Sequence, residues 1–227
     1  MSRTNKDAYL SEPTRELIQE YIDKYNNTEA IQIDEKAVES VFRTFNVNSI
    51  ECNLVKSIVL NNRYSTGLNN RPTDIKDIAI DVYTISVIIQ QNYSICKSAE
   101  EVVKYIETIS SLVAKKSKKR PYSFLSKYFY WTYAVVDESD FEVPIYDSYD
   151  KGMLYYLNKK YSYIETFNQE CIKSYAGYYE KYIGILTAIN DKYQTSFTVR
   201  DFDKYMWKYA KELNTPDSDK VLIDVRI

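Results

Sequence analysis

The sequence predicts a mostly α-helical protein, and three observations carry that prediction. Apolar residues recur at steps of three and four along nearly the whole chain, as in Leu17, Ile18, Tyr21, Ile22 and Tyr25; this spacing lays one apolar stripe along a helix. Capping residues stand where such stripes begin. Ser98 is followed three places later by Glu101, the pattern of a capping box. Strand-like alternation is confined to the tail, VLIDVRI, which reads as a short strand or an extended segment.

In chain order, Ser11-Glu12-Pro13 opens the first helix with a capping residue and an early proline. Asp34 is expected to cap a second, with Val38, Val41, Phe42 and Phe45 inward. A third runs from about Ser49 to Leu60 and leads into a loop, NNRYSTGLNNRP. Thr73 or Asp74 starts a long helix to about Gln91, and the Ser98 helix turns Val102, Val103, Ile106, Ile109 and Val113 inward. A helix from near Tyr122 to about Tyr133 follows, then one from Ser148 or Tyr149 through Leu157. The last two span roughly Cys171 to Asn190 and Thr198 to Leu213, with Thr198 as cap and Pro216 beyond the end. No repeat, low-complexity tract or linker interrupts the series, so residues 1–227 are expected to form a single domain.

Composition narrows the chemistry. The chain is 44% hydrophobic and 27% charged, ordinary for a soluble globular protein. No apolar run approaches the ~20 residues of a membrane span, and the N-terminus lacks the apolar core of a secretory signal. Three widely spaced cysteines, Cys52, Cys96 and Cys171, read as reduced thiols in a cytoplasm. The absence of histidine removes Ser-His-Asp and Cys-His catalysis and the commonest zinc ligand. The four glycines, Gly67, Gly152, Gly177 and Gly184, form neither GxGxxG nor a P-loop, so a nucleotide cofactor is not expected. Any enzymatic chemistry falls to Lys, Asp, Glu, Tyr, Ser or Cys. A net charge of −2 does not advertise nucleic-acid binding. The local field is what a phosphate senses, however, and five of the six positions 115–120 are basic.

The candidate chemistry lies between Arg120 and Asp150. Lys127 falls one turn into its helix, downstream of KKSKKR and among Phe124, Leu125, Tyr128, Phe129 and Trp131. Burial, cationic neighbours and the start of a helix each disfavour an ammonium, and a lysine nucleophile must shed its proton from a pKa near 10.4. The plainer reading is a basic residue snorkelling from an apolar helix. Pro144 biases Val143 to an extended conformation, which delivers Asp147 to the N-cap position of the next helix. That carboxylate serves as a cap and, held ionised there, is also able to face a developing positive charge. The basic run reads either as a solvated helix end or as a phosphate-facing hairpin.

Lys127-Tyr128 within SFLSKYFYW, followed by VPIYDSY, resembles the 8-oxoguanine DNA glycosylase OGG-fold family of the helix-hairpin-helix-GPD superfamily. LNNRYSTGL and FTVRDFDKYMWKYAKEL are also similar to that family, so the matching pieces span about residues 55–213. The resemblance implies a helix-hairpin-helix glycosylase fold with two helical subdomains flanking a DNA-binding cleft. Its core would lie near residues 98–150, with C-terminal helices over 165–213. It further implies Lys127 as Schiff-base nucleophile and Asp147 as its carboxylate partner. Asp203, Trp207, Tyr128 and Trp131 would bind the extruded base. Asn61 and Asn62 would fill the gap left in the duplex, Arg63 and Tyr64 beside them would touch the opposite strand, and Lys115, Lys116, Lys118, Lys119, Arg120 and Ser123 would bind DNA. The hairpin, KKRPYSF, lacks the glycines usual in that superfamily, and Thr132 stands where a histidine is often found.

The sequence therefore leads to the expectation of a monomeric, cytoplasmic, nucleoid-associated DNA glycosylase with AP lyase activity. It would act on double-stranded DNA carrying a damaged base, 8-oxoguanine by resemblance, without metal or organic cofactor and without a membrane. A non-catalytic DNA-binding module of the same fold, a glycosylase for modified bases of foreign DNA and a purely structural helical protein are the alternatives.

Overall fold

The computed structural model describes residues 10–64, 75–117 and 120–214, with the backbone alone at 64, 75–81, 116 and 117. Nine α-helices, and no strand, occur among the described residues. They are α1 (Arg15–Asn26), α2 (Glu29–Thr44), α3 (Ile50–Tyr64), α4 (Ile75–Gln91), α5 (Ala99–Ser117), α6 (Tyr122–Phe129), α7 (Ser148–Tyr161), α8 (Tyr175–Tyr193) and α9 (Val199–Leu213). A π-helix, Tyr130–Val136, continues α6, and a 3-10 turn, Gln169–Ile172, precedes α8. Among the described residues no helix is long and apolar enough to cross a membrane. The tail expected to be extended lies outside the described residues.

The chain divides into two compact units, Ala30–Tyr146 and Met1–Glu29 with Asp147–Ile227. In the first, α3 packs on α4 and α6, and α5 packs on the same two helices. Their apolar stripes close over Leu60, Ile85, Val102, Ile106, Phe124 and Leu125, all fully buried. Phe42 of α2 adds its ring edge-on to Tyr128, at 5.4 Å between centroids. In the second unit α1 lies along α9, and α9 also meets α7 and α8. Tyrosines fill much of that core: Tyr21 meets Tyr209 at 4.7 Å and Tyr205 at 6.1 Å. Buried hydroxyls need partners, and Tyr209 finds one in the backbone N–H of Ser11, at 3.0 Å.

Helix boundaries depart from the sequence expectation in five places, the first being α1, which starts at Arg15 and is capped by Thr14 rather than Ser11. Asp34 does not cap α2, which begins five residues earlier at Glu29; the Asp34 carboxylate instead pairs with Arg63 at 2.9 Å. Asn61, Asn62 and Arg63 are not loop residues but the last turn of α3. With Leu60 and Asn61 both buried, the inward face extends past the expected stop. Helix α8 starts at Tyr175, capped by Ser174, after the 3-10 turn rather than at Cys171. The Lys127 helix changes register at Tyr130 and runs on as a π-helix to Val136, beyond the expected end.

Candidate active site

Lys127 belongs to the unit Ala30–Tyr146 and sits in a short helix that is almost wholly buried. Every residue of α6 except Ser123 is buried, because apolar side chains cover all its faces rather than one. The Lys127 residue is 4% exposed, and its amine donates to the Ser123 hydroxyl one turn earlier, at 3.3 Å. The structure thus brings together two of the residues singled out from sequence. Ser126, beside Lys127, is fully buried and accepts a hydrogen bond from the backbone N–H of Tyr146, at 3.0 Å. The Tyr146 ring also meets Tyr122 edge-on at 5.3 Å. The extended segment that Pro144 introduces is therefore tied to the turn of α6 that carries Lys127.

Asp147, the next residue, opens the other unit. Its backbone is extended (φ −104°, ψ 154°), and its carboxylate accepts from the Tyr149 N–H at 2.9 Å. This is the N-cap that the sequence predicts, and the cap fixes the side chain against the first turn of α7. Within its unit Asp147 lies in the field of two lysines. Burial draws the Lys151 ammonium below its ordinary range while the Asp147 charge opposes the shift. Lys211 is lowered likewise by burial, again with Asp147 acting in the opposite direction.

Asp203 is 3% exposed, and its carboxylate accepts from the Tyr182 hydroxyl at 2.9 Å. Tyr175, Tyr178 and Tyr182 form one fully buried face of α8. Their phenols are held well above the usual range, by burial first and then by carboxylates that include Asp203. Trp207, one turn further along α9, is half-buried, edge-on to Tyr25 at 5.7 Å, with the Lys211 amine 3.8 Å above its ring.

The remaining candidates divide between core and surface. Tyr128 and Trp131 are buried, and the Tyr128 hydroxyl donates to Asn53 at 2.7 Å. Trp131 packs at 6.3 Å from Phe42. Asn61 is buried at the end of α3, whereas Asn62 and Arg63 are exposed. Lys115 is exposed on the last turn of α5. Arg120 is exposed and donates to the Tyr122 hydroxyl at 2.8 Å, which in turn donates to Glu107 at 2.6 Å. Lys118 and Lys119, and the side chains of Tyr64 and Lys116, lie outside what the structure describes.

Sequence reading missed Lys56. It lies on α3, is 5% exposed, and opens on a cavity lined by Phe42, Tyr128, Asn53, Thr132, Val136 and Asp137 among others. Its amine stands 5.5 Å from the Phe42 ring centroid and 5.2 Å from that of Tyr128. Burial brings it down to about 8, against opposing contributions from Cys52 and Asp137. Its face of α3, Asn53, Lys56, Ser57, Leu60 and Asn61, is buried although mostly polar, so no apolar stripe in the sequence signals it. No group of three or more His, Cys, Asp or Glu side chains able to hold a metal ion occurs among the described residues.

The model of one protein family, HI_0787_N, an N-terminal domain, matches residues 17–134, just over half of the chain. No curated protein and no solved structure was found to match.

Proposed function

The chain belongs to the HI_0787_N family through residues 17–134, and we propose, on its motif resemblance and not on that family, that it is a DNA N-glycosylase with AP lyase activity, of helix-hairpin-helix type. The observation that carries the reading is the hydrogen bond from the Tyr146 N–H to Ser126. It fixes Tyr146, within the same unit, against the residue next to Lys127; the pairing of that amine with the Asp147 carboxylate is what the resemblance of K…VP-x-x-D-S implies. The N-cap of Asp147 and the burial of Lys127 support the same roles.

In this reading the damaged nucleotide, 8-oxoguanine by resemblance, leaves the base stack at a cost of a few kcal/mol. Its base lies against Trp207 and hydrogen-bonds Asp203. The Lys127 nitrogen forms a bond to the sugar C1′ as the bond from C1′ to the base breaks, and the base takes up a proton as it departs. Asp147 stabilises the cationic sugar and receives the proton that the amine gives up. Opening of the sugar then yields a Schiff base, from which the 3′ phosphate is lost by β-elimination. The basic run 115–120 supplies the field for the backbone phosphates.

The reading requires a sugar to reach an amine that is only 4% exposed in the free chain, and trapping tests that directly. Borohydride added to the full chain with 8-oxoguanine or abasic duplex should give a covalent adduct that maps to Lys127. The adduct should vanish in Lys127→Gln, and in Asp147→Asn base release should fall by about 10²-fold or more. An adduct mapping to Lys151 would reassign the nucleophile. Duplex binding without any adduct would leave a DNA-binding module, and no binding at low salt would end the reading.

A further inference from the structure

A buried amine with nothing to hold its charge is costly to keep, since an ammonium in an apolar surrounding needs a partner. Lys56 is in that position. No described residue gives it a hydrogen bond or ion pair, and its amine lies over the Phe42 and Tyr128 rings. The amine opens on a cavity that also presents the Asp137 carboxyl. Asp137 is placed by the π-helix, whose wide turn closes with its N–H on the Thr132 carbonyl at 3.0 Å. Such π segments are frequent at functional sites.

We propose that this cavity is a carbonyl-capturing site, in which Lys56 forms a Schiff base with a small uncharged aldehyde and the Asp137 carboxylate relays the protons. The enclosed space, about 30 Å³, would take about two waters or a molecule of a few heavy atoms. A carboxylate at its mouth disfavours keto acids and other anions. Two asparagines of the wall are already engaged: Asn53 accepts from Tyr128 and donates to Asn48 at 2.9 Å. They shape the site without calling for a strongly polar guest.

The neutral amine adds to the carbonyl carbon, and the carbonyl oxygen takes up the proton that the nitrogen gives up. The nitrogen's second proton passes through the Asp137 carboxylate to the resulting hydroxyl, which leaves as water, so that a neutral imine and the carboxylate remain. Both groups are tuned for this exchange. Lys56 lies near 8 and is about a tenth neutral at pH 7. Partial burial holds Asp137 above the ordinary aspartate range, with Lys56 pulling the other way. The other titratable groups facing them are Cys52, Tyr93 and Tyr128.

The test is reductive labelling of the full chain with acetaldehyde or glycolaldehyde and cyanoborohydride, followed by peptide mass mapping. Lys56 should be modified at least tenfold faster than exposed Lys159 and Lys173, with a pH midpoint near 8. Glyoxylate, an anion, should label it poorly. Asp137→Asn should slow labelling at Lys56 severalfold and leave the exposed lysines unchanged, and Lys127→Gln should leave Lys56 labelling intact. Labelling of Lys56 no faster than the exposed lysines would overturn the proposal, and indifference to Asp137→Asn would remove Asp137 as its proton relay. Because no DNA is present, either failure leaves the glycosylase reading to its own trapping experiment.

Discussion

Gly177 shows how one missing side chain sets a junction. A Cβ on this residue would stand 2.0 Å from the Cys171 carbonyl oxygen, a backbone atom that cannot swing aside. The 3-10 turn can approach the first turn of α8 only because position 177 has no side chain, and Ser174 completes the junction by accepting from the Gly177 N–H at 3.1 Å. Gly177→Ala should therefore cost about 2–3 kcal/mol by forced backbone displacement, although alanine is the better helix former. Urea denaturation of the two proteins measures it, and an unchanged midpoint would mean that the turn and α8 can separate freely. Nothing in the sequence marks Gly177 apart from the other three glycines, because the clash is with a residue brought close by folding. The same holds for Lys56, one lysine among 30 basic residues until α2, α6 and the π-helix close around it. Lys127 and Asp147 were legible for the opposite reason. A proline-led extended segment, a capping carboxylate and an apolar helix with one lysine are local patterns. The structure gives Asp147 its cap by such local means, whereas the burial of Lys127 comes from the helices packed on α6.

Among the elements, the helix starts set by a complete local cap were the legible ones. Thr198 caps α9 by accepting from the Asp201 N–H at 3.1 Å, while the Asp201 carboxylate accepts from the Thr198 N–H at 3.1 Å. Both partners lie within four residues, so the sequence contains the whole motif. Ser98 accepts from the Glu101 N–H in the same manner, but Glu101 reaches past the cap to the Lys97 N–H, at 2.7 Å. Thr198→Ala should lower stability by about 1 kcal/mol through loss of a cap that no neighbour can replace. Thermal or urea unfolding checks it, with Thr198→Ser expected to restore most of the loss. Helix ends are set by packing instead. Helix α3 runs through Asn61–Arg63 because its inward face still has a core to meet, and Arg63 is steadied by Asp34. The π-helix after α6 has no sequence signature, since its wider turn depends on how Trp131 and Tyr133 are buried. Ser162 and Gln194 end α7 and α8 in the left-handed region, each at φ 52°, without the glycine that usually announces such a stop.

At the scale of the molecule, each compact unit contains one of the two tryptophans, Trp131 in Ala30–Tyr146 and Trp207 in the other. The stability of the unit that houses Lys56 can therefore be followed alone, by Trp131 fluorescence in a Trp207→Phe background. The folded chain holds Lys56 near 8, whereas an unfolded lysine titrates near 10.4. Below pH 8 both states bind the proton and the folded state bears the full cost of a buried ammonium. Between about 8 and 10.4 the folded state releases it while the unfolded state keeps it, so stability rises with pH across that window and levels off above it. At about 1.4 kcal/mol for each unit of displacement, the rise amounts to about 3 kcal/mol. Tyrosine and surface-lysine ionisation also changes stability at high pH, and comparison with Lys56→Met cancels it because both proteins carry those groups. The methionine variant should be the more stable at pH 7, with the difference shrinking by about 3 kcal/mol as pH approaches 10.4. Urea midpoints at pH 7, 8.5 and 10 would show this convergence. Parallel curves would mean that water reaches the amine in the folded state and that the cavity does not impose the cost on which its chemistry depends.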